Sequence, residues 1–226
     1  MTVADTLALL DWKRRVFSLY AAVRALEPAA GCELWRETRD ELFRSHPQSP
    51  LPADRRAAFD GLEYWPYDAQ ARVLADLEDI EAAPTPIETS GTEVRSDAGQ
   101  AGASATGRAP SSLRPQPMLF QPFARASFEL RGERLSLEVS WLAAYGGGAF
   151  LCFRDATSGR ESYGGGRYLL DTVKGADLGE DHGRLVLDFN FAYNPSCCYD
   201  PGWVCPLAPP ANRLAAAVEA GEKDRA

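Results

Sequence analysis

The chain has 226 residues, 45% of them hydrophobic and 25% charged, with a net charge of −8 and a pI near 4.9. That length favours one sizeable core, or a core with a helical appendage, and an acidic chain without a basic patch lacks the footprint of a phosphate-backbone binder, so no nucleic-acid partner is expected. No apolar run reaches the roughly 18 residues of a membrane span, and Asp5, Asp11, Lys13 and Arg14 interrupt the first hydrophobic stretch, unlike a secretory signal, which leads us to expect a cytoplasmic protein with no membrane contact.

From residue 4 to 26, Leu7, Leu10, Val16, Leu19, Tyr20 and Val23 recur at helical spacing, with Asp5 as N-cap or first-turn acid. The helix ends before Pro28. A second helix spans about 30–45, with Leu34, Trp35, Leu42 and Phe43 on one side and Glu33, Glu37, Arg39, Asp40 and Glu41 largely on the other. The short break at 27–29 makes the two a hairpin or a bent pair. Prolines at 47, 50 and 52 close it, and 52–59 can add one or two helical turns. Tyr64, Trp65 and Tyr67 sit in a turn-rich passage expected to lie against the main body. Residues 72–80 and 84–89 read as strands, the first with Val73, Ala75 and Leu77 on one face. Residues 92–117 are rich in Gly, Ala, Ser, Thr and Pro, with almost no large apolar side chain to offset the entropy of ordering, and read as a flexible insertion.

Beyond Met118 the pattern has period two. Ala126, Phe128 and Leu130 alternate with Arg125, Ser127, Glu129 and Arg131, a tight turn follows at Gly132, and Leu135, Leu137, Val139 and Trp141 alternate with Arg134, Ser136, Glu138 and Ser140. This predicts a β-hairpin with one buried face. Further strands are expected at 150–155, 161–163, 168–173, 184–191 and 214–220. Helices followed by strands without βαβ units give an α+β fold, an N-terminal α-helical hairpin packed on an antiparallel β-roll or partly open β-barrel. The organisation expected is helices over 1–60 and a β-rich body over 61–226, together one structural domain.

The stretch 189–222 concentrates aromatic, asparagine, cysteine and proline residues that neither period explains, and is the place expected to hold a site. Five cysteines in a chain without a secretion signal imply reduced thiols, with Cys32 and Cys152 as small core residues. Cys197, Cys205 and His46 are soft-metal ligand types. Seven residues separate the two cysteines where zinc motifs use two to four, however, and His182 lies in a turn, so neither metal nor cofactor is expected. A thiol nucleophile would need a base, and His46 is the one histidine outside a turn. Arg167, after three glycines, can bind an oxyanion bidentately or pair with Asp155 or Asp188. On a strand, Asp188 and Asn190 would share a face opposite Leu187, Phe189 and Phe191 and so line a pocket. Asparagines and an Asn-Pro step equally tie irregular loops to a sheet.

WR at 35–36, SHPQSPL at 45–51, FDGL at 59–62, FRDATSG at 153–159, YGGGRY at 163–168, DFN at 188–190, AYNP at 192–195 and CPLAPPANRL at 205–214 together resemble a prokaryotic family of domains of unknown function. The resemblance carries no established reaction. It implies that Cys197 and Cys205 are the family's two cysteines, with Cys198 and the insertion at 92–117 as departures. Two readings of function stand. In one, Arg167, Asp188, Asn190, Tyr193, Asn194 and Cys197 frame a pocket at one end of the β-roll for a small polar or anionic molecule. In the other, the chain is a non-enzymatic interaction or structural domain whose C-terminal motif is a latch and whose helices present the partner surface.

Overall fold

The hairpin of helices forms where the periodicity places it. A computed structural model describes residues 2–90 and 118–224, so the insertion at 92–117 lies outside the described residues. Helix α1 (Val3–Val23) opens on a capping box, in which the Asp5 N–H donates to Thr2 Oγ1 at 3.1 Å and the Thr2 N–H donates to Asp5 Oδ2 at 2.8 Å. Pro28 begins α2 (Pro28–Ser45) at a position whose N–H would have no helical acceptor anyway. A single turn, α3 (Ala53–Arg56), follows. Leu7 and Leu10 do not join the buried face and are 59% and 41% exposed. The stripe that turns inward is Leu9, Trp12, Val16, Leu19 and Val23, one or two residues further round the same helix.

The strands are β1 (Arg72–Asp79), β2 (Thr85–Pro86), β3 (Leu119–Leu130), β4 (Glu133–Leu142), β5 (Ala149–Phe153), β6 (Arg167–Asp171), β7 (Glu180–Asp181) and β8 (Arg184–Asp188). Their order is β6-β5-β4-β3-β1-β8-β7, with β2 paired on β3 and every pairing antiparallel. The β3–β4 turn places Arg131 and Gly132 at φ 51° and 82°, the two-residue geometry whose twist matches paired strands. Strand β1 changes partner along its length: 72–75 pair with β8 and 76–79 with β3. The result is an α+β fold with an antiparallel, curled sheet. Ala126, Phe128 and Leu130 meet Leu137, Val139, Phe153, Leu187 and Phe189 in the main core. A second core joins the hairpin to the body through Tyr20, Val23, Cys32, Trp35, Ala176 and Phe191. Among the described residues no helix is long and apolar enough to cross a membrane.

Several expected strand features are corrected. Trp141 is 46% exposed, at the end of β4 beyond the core, and Leu77 is 43% exposed where β1 runs past it. Within 84–89 only Thr85 and Pro86 form a strand, and 161–163 holds just an isolated bridge at Ser162. The strand expected over 184–191 stops at Asp188, because its Oδ1 accepts the Asn190 N–H at 3.0 Å and turns Phe189–Phe191 into a 3-10 helix. The stretch 214–220 is extended but has no strand partner. Its backbone groups are shared between backbone and side chains: the Leu214 N–H donates to the Arg154 carbonyl at 2.8 Å and the Ala216 carbonyl accepts the Ala156 N–H at 3.0 Å, while the Val218 N–H donates to Asp155 Oδ2 at 2.6 Å and the Val218 carbonyl accepts from Arg167 Nη2 at 2.8 Å.

Candidate functional site

A cavity of about 320 Å³ lies between the helical hairpin and the segment after β8, a size in the range of small-molecule sites. Trp12, Lys13, Val16 and Tyr20 reach it from α1, Arg39 and Phe43 from α2, Tyr168 from β6, Lys174 from the following turn, and Tyr193, Asn194, Tyr199 and Trp203 from the C-terminal segment. Seven aromatic rings therefore line it. Its charged side chains are Lys13, Arg39 and Lys174, with no carboxylate among the lining residues of an acidic chain.

The three cations differ in how they are held. Arg39 Nη2 lies 2.6 Å from Glu222 Oε2, and its guanidinium stands over the rings of Trp35, Phe43 and Tyr193 at 4.8, 5.2 and 5.1 Å. Burial works against its charge, but Tyr64, Glu222 and Tyr199 outweigh it and raise its pKa, so Arg39 stays cationic. Glu222 also accepts the Asn194 N–H at 3.0 Å and the Tyr199 hydroxyl, yet burial outweighs these partners and lifts its pKa above the usual carboxylate value. Lys174 Nζ lies 3.2 Å from Asp171 Oδ2 and 5.8 Å from the Tyr168 ring centre. Burial opposes its charge as well, and Asp171 together with Cys205 and Cys197 outweighs it and raises the pKa. Lys13 has no ion pair among the described residues.

Of the six residues singled out in the sequence, Tyr193 and Asn194 line this cavity, and Cys197 follows Ser196, which also lines it. The buried Asn194 donates through Nδ2 to the Lys223 carbonyl at 2.8 Å, whereas its buried Oδ1 has no hydrogen-bond partner among the described residues. The other three lie elsewhere. Arg167 is fully buried, donates to the carbonyls of Val218, Ala220 and Glu222, and has Nη2 3.4 Å from Asp155 Oδ2. Asn190 joins Asp188 to Asp68: its Nδ2 donates to Asp188 Oδ1 at 2.8 Å and to the Asp68 carbonyl at 2.7 Å, and its Oδ1 accepts the Asp68 N–H. Burial raises the pKa of Asp188.

All five cysteines are free thiols. Cys197 stands on the 3-10 turn Ser196–Cys198, with the Tyr163 hydroxyl 3.4 Å from its Sγ and Cys205 in the same buried cluster. Hydrogen bonding with the Cys205 thiol lowers the pKa of Cys197 against the effect of burial and raises that of Cys205. Both ring nitrogens of His46 are engaged away from the thiols, Nε2 with Asp11 Oδ2 at 3.2 Å and Nδ1 with the Gln48 N–H at 3.0 Å. Among the described residues no group of three or more His, Cys, Asp and Glu side chains is arranged to hold a metal ion.

Comparison with solved structures finds an uncharacterized protein of Haloarcula marismortui, determined by solution NMR, at 34% sequence identity and a TM-score of 0.54 over 84% of this chain and 91% of that one. No curated protein matches the chain. The sequence profile of a protein family of unknown function, DUF1684, matches residues 104–223, more than half the length. The chain belongs to the DUF1684 family. In this DUF1684 protein the matched span carries Tyr168, Lys174, Tyr193, Asn194 and Glu222, while Lys13 and Arg39 come from the helices before it. Sequence reasoning placed Arg39 on the outer face of α2. The signal that it turns inward is its spacing: it stands four residues after Trp35 and four before Phe43, inside the apolar stripe.

Proposed function

We propose that the chain binds a small amphipathic molecule in the cavity between the helical hairpin and the C-terminal segment, with a flat apolar body against the aromatic rings and an acidic group at Lys13 and Lys174. The observation that carries this reading is the lining itself, seven aromatic rings and three cations without a carboxylate in a chain of net charge −8. Arg39 is held by Glu222, so Lys13, which has no ion pair among the described residues, and Lys174, shared with Asp171, supply the attraction for an anion. The unpartnered Asn194 Oδ1 offers an acceptor for a ligand hydroxyl or N–H. Arg167, Asp188 and Asn190 serve as the latch that sets the wall in place.

Two fluorescent probes that differ by one acidic group test the reading. Anilinonaphthalenesulfonate should bind about tenfold more tightly than uncharged phenylnaphthylamine, the equivalent of one charge-assisted contact of ~1.4 kcal/mol. Replacing Lys13 and Lys174 by Gln should erase that preference, and Val16→Trp, which fills the cavity, should weaken both probes. Equal affinity for the two probes in the unaltered chain, or full binding in Val16→Trp, would contradict the proposal.

A further inference from the structure

Cys197 and Cys205 belong to one buried cluster with Cys152, Phe150 and Tyr168, and the neighbouring groups divide their roles. The Tyr163 hydroxyl lies 3.4 Å from Cys197 Sγ, and the Cys205 N–H donates to Ser90 Oγ at 2.9 Å. Cys198 is turned away, its Sγ 3.5 Å from Asp224 Oδ1, so of the two adjacent cysteines only Cys197 shares the buried cluster with Cys205. Of the two clustered thiols Cys197 is the more exposed, 9% against 6% for Cys205, while Cys198 is more open than either. Ser196, next to Cys197, and Trp203, two residues before Cys205, line the cavity.

We propose that Cys197 and Cys205 form a reversible disulfide, in which Cys197 meets a hydroperoxide and Cys205 resolves the product. The Cys197 thiolate attacks the terminal hydroperoxide oxygen, the O–O bond breaks, and the departing alkoxide takes a proton and leaves as an alcohol, with Cys197 now a sulfenic acid. The Cys205 sulfur then attacks Cys197 Sγ, the S–O bond breaks, the Cys205 proton leaves with the hydroxyl as water, and the S–S bond forms. Two thiols have given up two electrons and one hydroperoxide has been reduced. An external dithiol reverses the second bond. The groups around Cys197 are the Tyr163 hydroxyl, the Cys205 thiol and the Ser90 hydroxyl, with Lys174 as the nearby cation. Hydrogen bonding from Cys205 favours the Cys197 thiolate, and a thiolate is the form that attacks.

The full chain treated with tert-butyl hydroperoxide should lose two of its five thiols. Chymotryptic cleavage after Tyr199 or Trp203 should leave two fragments joined through Cys197 and Cys205, released by dithiothreitol. Cys205→Ser should accumulate the Cys197 sulfenic acid, captured by dimedone, whereas Cys198→Ser should form the disulfide as the unaltered chain does. Retention of all five thiols, or a bond from Cys197 to Cys198, would overturn the proposal. The mapping on the unaltered chain decides between these outcomes even where a variant fails to fold.

Discussion

Arg39 and Glu222 are joined across the molecule, one on α2 and the other near the C-terminus, and both are held away from water. A buried pair of this kind contributes little net stability, but breaking it from one side leaves the other charge stranded. Arg39→Gln should therefore cost about 3–5 kcal/mol at neutral pH, measured by urea denaturation. The cost should depend on pH. Burial already raises the pKa of Glu222, and Arg39 is the largest influence lowering it, so the substitution raises it further. A carboxyl whose folded pKa lies above its unfolded value holds its proton longer in the folded state, so its contribution is present at low pH and lost as pH rises through the folded value. The deficit of Arg39→Gln should accordingly shrink towards pH 4 and widen towards pH 7. A deficit independent of pH would show that Glu222 is not left as an unpaired charge.

At the scale of elements, the passage from Asn212 to Glu222 is held by scattered backbone bonds to Arg154, Ala156, Ala192 and Trp65 and by side chains, where a strand would use a continuous ladder. Asn212 Oδ1 accepts the Glu138 N–H at 2.7 Å, and its Nδ2 donates to the carbonyls of Glu138 and Cys152 at 2.9 Å each, which fixes the segment to β4 and β5. Gly221 lets the chain pass against the turn after β8, since a Cβ there would lie 2.6 Å from the Phe189 and Ala192 carbonyl oxygens. Asn212→Ala should cost about 1–3 kcal/mol for each backbone group left buried and unpaired, and should speed amide exchange at Glu138 ahead of the β3–β4 turn. Unchanged exchange at Glu138 would count against the bridge. The same segment shows what alternation can and cannot reveal. Leu214, Val218 and Ala220 are buried while Ala215, Ala217 and Glu219 are exposed, so the burial has the period of a strand. The backbone bonds of Val218 are taken by Arg167 and Asp155, which no periodicity records. In the β3–β4 hairpin, alternation and turn residues agree, and its existence and buried face were legible. At Asp188 a capping carboxylate overrode a continuous apolar run.

At the scale of the whole molecule, the cavity is assembled from α1, α2, the end of β6 and the segment 193–203, parts separated by up to nearly the length of the chain. Tyr193 and Asn194 stood out in the sequence because they lie in an unusual stretch. Lys13 and Lys174 did not, because each stands singly on an ordinary helix or turn and acquires meaning only from the rings brought beside it. The lysines Lys13 and Lys174 are two of the three in the chain, and folding gathers them at one cavity. The five tryptophans give a direct readout of ligand position, because Trp12 and Trp203 line the cavity, Trp35 and Trp65 are buried elsewhere, and Trp141 is exposed on β4. In an NMR titration with anilinonaphthalenesulfonate, the indole N–H signals of Trp12 and Trp203 should move together and that of Trp141 should stay in place. Movement of Trp141, or of the exposed Leu7 and Leu10 face of α1, with Trp12 and Trp203 unchanged would contradict a ligand site in the cavity.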